Sequence, residues 1–225
     1  FKVVYWIRDN FVSDPTDMTI SIEKMLTDDF LEEAKQKYTD MGEKYNKGDT
    51  TYFAIVDTEE TIVSGIQSLF YPFGSAITEP NYGITLNARA SSFVLDKNHV
   101  NSLKPKKRPL HTLSAMIIED ENRTMALGLS GGHFRPQLHA EIYANIFHYG
   151  MDVQEAIEHP RFIWHLWTDK LELEEGFDLD GLKNYDIKIV PYPSRLGVVA
   201  AAEIINDKVR AGYCDIRGDG IPIGL

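Results

Sequence analysis

The sequence predicts an α+β fold, and three observations carry that expectation. Residues 21–38 show the three- and four-residue apolar spacing of a helix and run into a polar stretch. From residue 51 onward, strand-forming runs come in pairs joined by short polar turns: 52–56 with 61–68, 113–118 with 124–129, and 198–205 with 209–213. A single long helical pattern, about 135–149, follows hairpins instead of alternating with single strands. Antiparallel sheet with segregated helices is expected, not a parallel strand–helix succession.

In chain order, residues 1–7 are apolar and β-branched and read as a strand, ended by the turn Ser13-Asp14-Pro15. In 21–38, Ile22, Met25, Leu26, Phe30 and Leu31 form one face of an amphipathic helix, opposite Glu23, Asp28, Glu32, Glu33 and Lys35. Residues 37–49 are polar, punctuated by glycine and lack apolar periodicity, the composition of an exposed tether that tolerates cutting. The first hairpin turns at Asp57-Thr58-Glu59-Glu60, residues 69–74 leave the sheet at Pro72, and 82–86 re-enter it. A loop over 98–109 leads to the second hairpin, turned at Asp120-Glu121-Asn122. Gly131-Gly132 then opens the helix of 135–149, with Leu138, Ile142 and Ile146 on one face, and a shorter helix, 151–158, ends at His159-Pro160. Residues 188–190 and the hairpin turned at Asn206-Asp207 close the sheet set.

Composition narrows the function. A chain of 225 residues, 43% apolar and 25% charged, is sized for one well-buried domain. The net charge of −11 argues against a nucleic acid or an anionic membrane surface as partner, because either wants a basic face. The basic run Lys104-Pro105-Lys106-Lys107-Arg108 reads as a solvated loop, or one that fixes the segment after it. The one cysteine, Cys214, has no internal partner, so the compartment stays open. His133, His139 and His148 lack metal-ligand spacing, and neither metal nor cofactor is expected. Phe162, Trp164 and Trp167 read as core or as packing between subunits of an oligomer. Asn122-Arg123-Thr124 fits a glycosylation acceptor and equally a hairpin tip. Because Phe1 opens what reads as a strand interior, an upstream part of the protein is expected.

The boundary Gly48-Asp49-Thr50-Thr51 has two readings. One is a turn that opens a strand. The other is chemical: if the Asp49–Thr50 bond breaks, Thr50 carries a hydroxyl and a free amine on one residue, an activated nucleophile. Gly131-Gly132, between a strand and a helix, could present backbone amides to an oxyanion or could simply make a tight turn. Gly128-Leu129-Ser130-Gly131-Gly132 also fits the G-x-S-x-G elbow of α/β-hydrolases, with Ser130 as nucleophile, although that fold needs parallel strands on both sides of the elbow.

Several landmarks then occur in a telling order: Asp49-Thr50-Thr51-Tyr52, Asp57, Phe73-Gly74, Gly83-Ile84-Thr85-Leu86-Asn87, Lys107-Arg108-Pro109-Leu110, Gly128-Leu129-Ser130-Gly131-Gly132, Tyr149-Gly150, Pro160-Arg161-Phe162 and Asp215-Ile216-Arg217. This succession resembles the small subunit of γ-glutamyltransferases, which are N-terminal-nucleophile hydrolases. The resemblance implies a four-layer αββα sandwich. It also implies autocatalytic cleavage at Asp49–Thr50, with 1–49 the tail of a large-subunit region that continues upstream and 50–225 the small-subunit region of the same domain. The implied activity is hydrolysis or transfer of the γ-glutamyl group of glutathione, or of a related acyl amide, through an acyl-Thr50 intermediate. Ser68 then falls where the family has a hydroxyl that bonds the nucleophile, and Gly131 and Gly132 where it has its oxyanion donors. The substrate-binding positions depart from the family pattern. Phe70, Arg89 and Ser92 stand where amide and acidic side chains hold the γ-glutamyl amine, and His111 and Thr112 where two serines hold its carboxylate. Arg89 would repel an ammonium and fork a carboxylate. An amidohydrolase with an altered acyl pocket, and an unprocessed non-catalytic relative, are therefore the alternatives.

Overall fold

The computed structural model describes residues 1–39 and 49–224. Most of the proposed tether, residues 40–48, lies outside the described residues. Three helices come first: α1 (Lys2–Phe11), α2 (Ile22–Met25) and α3 (Asp28–Lys37). The hairpin β1 (Asp49–Val56) and β2 (Ile62–Phe70) follows, then the short ribbon β3 (Thr78–Glu79) and β4 (Ile84–Thr85). A second hairpin, β5 (Met116–Asp120) and β6 (Arg123–Ser130), leads into α4 (Arg135–Tyr143) and α5 (Val153–Glu158). Strands β7 (Phe162–His165), β8 (Lys170–Glu174), β9 (Asp186–Val190), β10 (Val198–Ile205) and β11 (Val209–Cys214) complete the chain.

The described residues form two compact units, one of residues 1–39, 74–111 and 166–168, the other of 49–73, 112–165 and 169–224. In the first, Ile7, Met25, Phe30 and Ala34 make a buried cluster lined by Val3, Trp6 and Phe11. Residues 1–7 are therefore helical and not the expected strand. A short apolar run fits either element, and here Val3, Trp6, Ile7 and Phe11 recur at helical steps against α3, with Phe11 edge-on to Phe30. Tyr5, 1% exposed, meets the Trp167 ring edge-on, so that tryptophan is internal packing. The helix expected over 21–38 is broken in two. Ser21 caps α2 by accepting the Lys24 N–H, and Thr27 starts α3 afresh by accepting the Phe30 N–H. The basic run is paired within this unit: Lys104 and Lys107 reach Asp17 at 2.8 and 3.4 Å, while the Arg108 and Thr16 amides hold the Asp14 carboxyl well below its ordinary range. Residues 82–86 do not rejoin a main sheet, since β4 pairs only with β3.

The second unit contains the antiparallel sheet β11-β10-β6-β5 and the separate sheet β7-β8-β9, in which β8 and β9 run parallel. Strands β7 and β8 are not expected from the sequence, and residues 188–190, expected as a strand, pair with β8. Strand β6 is buried continuously from Met125 to Leu129 because both of its faces are covered, one by α4 and the other by the β1–β2 hairpin. Close approach of the hairpin requires Gly128, since a Cβ there would lie 2.1 Å from the Tyr52 ring. Helix α4 docks on β7 through Gln137, whose wholly buried amide donates to the Trp164 carbonyl at 2.9 Å and accepts its N–H at 3.0 Å. Beyond Tyr143 the helix widens over Ala144–His148, the Tyr149 N–H bonding the carbonyl five residues back.

The landmarks 160–162 and 215–217 meet in a buried ion network. Arg161 pairs with Asp215 at 2.7 Å; Arg217 pairs with Asp215 at 3.1 Å and with Glu174. Both arginines also donate to the Ile157 carbonyl at the end of α5, and the Asp215 carboxylate accepts the Val199 N–H at 3.0 Å. These four side chains lock α5, β8, β10 and β11 to one another.

Candidate active site

Thr50 sits at an irregularity in the first hairpin. Asp49 pairs with Phe70 and Thr51 with Gln67, so Thr50 alone faces both Ser68 and Leu69. Such a bulge bends a strand and re-aims the side chain beside it. Phe70, at the far side of the bulge, has φ +80°, a costly conformation for an aromatic residue, and is buried edge-on to His133. The Ser68 hydroxyl accepts the Phe70 N–H at 2.9 Å, which places it across the hairpin from Thr50.

Thr50 lines a cavity of about 600 Å³ together with Tyr52, Ser130, Gly131, Phe134, Arg195 and Asp219. From behind, Arg135 Nη2 donates to Thr50 Oγ1 at 2.7 Å. Arg135 is 1% exposed, and the plane of its guanidinium is set by the Leu129 carbonyl, which accepts from Nε at 3.0 Å, and by the Thr112 carbonyl, which accepts from Nη1. Sequence reasoning missed Arg135. One signal for it existed: a cation on the first residue of a helix opposes the helix dipole and so needs a specific partner. One turn further on, burial first and the Arg135 charge second hold the His139 imidazole down to about 4, so it is neutral at physiological pH.

Of the residues singled out in the sequence, this unit brings together Thr50, Ser68, Thr112 and Gly131. Gly132, buried beside Gly131, has φ +54°, a conformation open to glycine. A Cβ on Gly131 would lie 2.9 Å from Leu138 Cδ1. Arg89, Ser92 and His111 belong to the first unit. There Arg89 is buried in a short turn, burial pushing its guanidinium down from its ordinary value, and the Ser92 carbonyl accepts from the Asn101 amide at 2.7 Å. His111 is exposed. The strand order agrees with the objection to a Ser130 elbow: β6 is antiparallel to both neighbours, and the Ser130 hydroxyl accepts the Val198 N–H at 3.1 Å. Among the described residues no group of three or more His, Cys, Asp or Glu is arranged to hold a metal ion, and no helix is long and apolar enough to cross a membrane.

Glu141 supports the helix that carries Arg135. Its carboxyl accepts the Phe162 N–H at 3.3 Å and is pushed up to about 8, by burial first and against the pull of Arg161. The folded chain keeps this proton over a range in which the unfolded chain, with an ordinary Glu value of about 4.3, has released it. Stability therefore falls as pH rises from about 4.3 towards 8. Glu141→Gln, neutral throughout, should unfold at a higher urea midpoint than the wild type near pH 8 and at a similar one near pH 4.

The gamma-glutamyltranspeptidase family model matches residues 1–225. The chain belongs to the gamma-glutamyltranspeptidase family. Within or near this family, it is 35% identical over 97% of its length to the glutathione hydrolase-like YwrD proenzyme of Bacillus subtilis, covering 44% of that protein. It is 31% identical over 78% of its length to the oxamate amidohydrolase proenzyme of Klebsiella pneumoniae, covering 35% of it. The crystal structure of cephalosporin acylase from Bacillus halodurans superposes with a TM-score of 0.79 at 27% identity, over 98% of this chain and 42% of that one. The chain thus spans less than half the length of the curated relatives it matches. The mixed helices and sheets of the solved gamma-glutamyltranspeptidase structures agree with the α+β class read from the sequence.

Proposed function

We propose that the protein is a gamma-glutamyltranspeptidase-like amidohydrolase that cuts itself at Asp49–Thr50 and then works through an acyl-Thr50 intermediate. The observation that carries this reading is Thr50 itself, which lines a cavity and has its hydroxyl held by the guanidinium of a buried arginine. In maturation Thr50 Oγ1 attacks the Asp49 carbonyl carbon, the C–N bond breaks, and the hydroxyl proton ends on the Thr50 nitrogen. Water then hydrolyses the ester, leaving residues 1–49 as the tail of the large-subunit region and 50–225 as the small-subunit region. In turnover the freed amine takes the hydroxyl proton as Oγ1 attacks a substrate amide, then passes it to the departing amine as the C–N bond breaks, which leaves the acyl-Thr50 ester. The Gly131 and Gly132 amides serve the oxyanion, and Ser68 steadies the nucleophile. Water or an amine then removes the acyl group.

Arg89, Ser92, His111 and Thr112, at the family's substrate-binding positions in the sequence, carry donors that suit a carboxylate better than an ammonium. The named activities of the relatives, glutathione hydrolase-like, oxamate amidohydrolase and cephalosporin acylase, cover acyl groups with and without an amino-acid head. The fourth layer of an αββα sandwich is assigned to the upstream region. In support, Phe53, Ile55, Val63 and Leu69 leave the outer face of the β1–β2 hairpin apolar and 38–51% exposed. A panel of L-γ-glutamyl and glutaryl p-nitroanilides tests the substrate class: faster turnover of the glutaryl compound is expected, and a clear preference for the γ-glutamyl compound overturns the altered pocket.

A further inference from the structure

We propose that Arg135 sets the reactivity of Thr50, fixing Oγ1 for attack and keeping the freed α-amine unprotonated at neutral pH. This rests on the reading of Thr50 as nucleophile given above. The guanidinium is planar and permanently charged, so two carbonyl acceptors determine where its remaining N–H bonds point. Leu129 and Thr112 supply those acceptors, and the remaining terminal nitrogen is aimed at Thr50 Oγ1. With one lone pair of Oγ1 taken, the hydroxyl proton must turn away from Arg135, and a charged donor at this distance stabilises the oxygen as it loses that proton. The residue is anchored through its backbone in α4 and through its head group on the Leu129 carbonyl of β6.

The second effect follows from covalent geometry. The nitrogen and Oγ1 of one threonine lie roughly 3 Å apart, which puts the new α-amine within about 6 Å of the guanidinium, where a cation favours the neutral form of an amine. Burial of Arg135 limits the screening of that effect. The charged residues that line the cavity are Arg195, Asp215 and Asp219. Asp215 is engaged by Arg161 and Arg217, and His139 on α4 is neutral, which leaves Arg135 as the buried cation bonded to Thr50 itself.

The test uses the full-length protein with Arg135→Gln, which removes the charge and keeps a donor, and Arg135→Lys, which keeps the charge and loses the fork. The substrate is whichever of the two anilides is turned over faster. For Arg135→Gln, kcat should fall by roughly 10- to 100-fold with little change in KM. The acid limb of the kcat/KM profile should also move to higher pH by about half a unit to one unit. Conversion of the precursor should slow as well. Arg135→Lys should leave the acid limb where the wild type has it and recover only part of kcat. A Gln variant with wild-type kcat and acid limb overturns the inference, as does a fall in kcat with the limb unmoved, which is what loosened packing would give. If the Gln variant fails to fold by circular dichroism, the Lys variant decides: a kcat within twofold of wild type overturns the inference, and a tenfold fall with an unmoved limb supports it. Full activity in Thr50→Ala would overturn the underlying reading and this inference together. An inactive Thr50→Ala beside a wild-type-like Arg135→Gln overturns this inference alone.

Discussion

Replacing Thr50 by alanine is expected to stop both self-cleavage and turnover. In the full-length protein, intact-mass measurement should find the uncut chain, with no fragment beginning at Thr50. Anilide turnover should fall by roughly 10⁴-fold or more, the scale seen when a nucleophile that acts as part of a unit is removed. Thr50→Ser keeps the hydroxyl and the bond from Arg135, and should still cleave and still turn over. The two readouts share one atom, Oγ1, because maturation and catalysis are the same attack on two different carbonyls. An uncut Thr50→Ala chain with wild-type turnover would mean that some other group does the chemistry. A wild-type chain that stays uncut and inactive would make this a non-catalytic member of its family.

Replacing Arg217 by alanine is expected to cost at least about 3 kcal/mol of stability, since removing one partner strands buried charges without compensation. Arg217 is 6% exposed and holds Glu174 and Asp215, exposed 0% and 2%. It also donates to the Ile157 and His159 carbonyls at 3.0 Å; Asp215 and the Ile157 carbonyl keep Arg161, so the substitution leaves the buried Glu174 carboxylate without its cation and the His159 carbonyl without this donor. Against a typical stability of about 5–15 kcal/mol, the urea midpoint should fall far below that of the wild type, or soluble protein should be lost. A midpoint unchanged from wild type would contradict the network. Its pH signature has the opposite sign to that of Glu141. Burial pushes the Glu174 carboxyl up, but Arg217 and the Ser194 and Arg161 amides more than reverse this and hold it below its ordinary value. That contribution is fully present above the unfolded value of about 4.3 and is lost as pH falls through the folded value. Arg217→Ala should therefore show less of the wild type's loss of stability on acidification.

Much of this was legible in the chain. The hairpins were readable because turn residues and β-branched runs act over a few neighbours, and the observed strands 49–56 with 62–70 and 198–205 with 209–214 differ from the expected ones only at their ends. The boundary at Asp49-Thr50 was readable for the same reason. Residues 1–7 were misread because an apolar run that short has no decisive period, and only the α3 face that covers it selects a helix. The split of 21–38 was signalled by Ser21 and Thr27, both good caps, but outweighed by the apolar spacing.

The sequence by itself determined the α+β class, the order of the hairpins, the place of Thr50 at the start of the first one, and the paired glycines ahead of α4. All of these follow from preferences that act within about ten residues, where chain connectivity already brings the groups together. Only the tertiary structure decided which cation meets the Thr50 hydroxyl, since Arg135 lies 85 residues away from it in the chain. The same holds for the pairing of Arg161, Glu174, Asp215 and Arg217. A charge read in sequence is a solvated charge until folding buries it, and burial is what turns these arginines from surface residues into groups whose partners must be present.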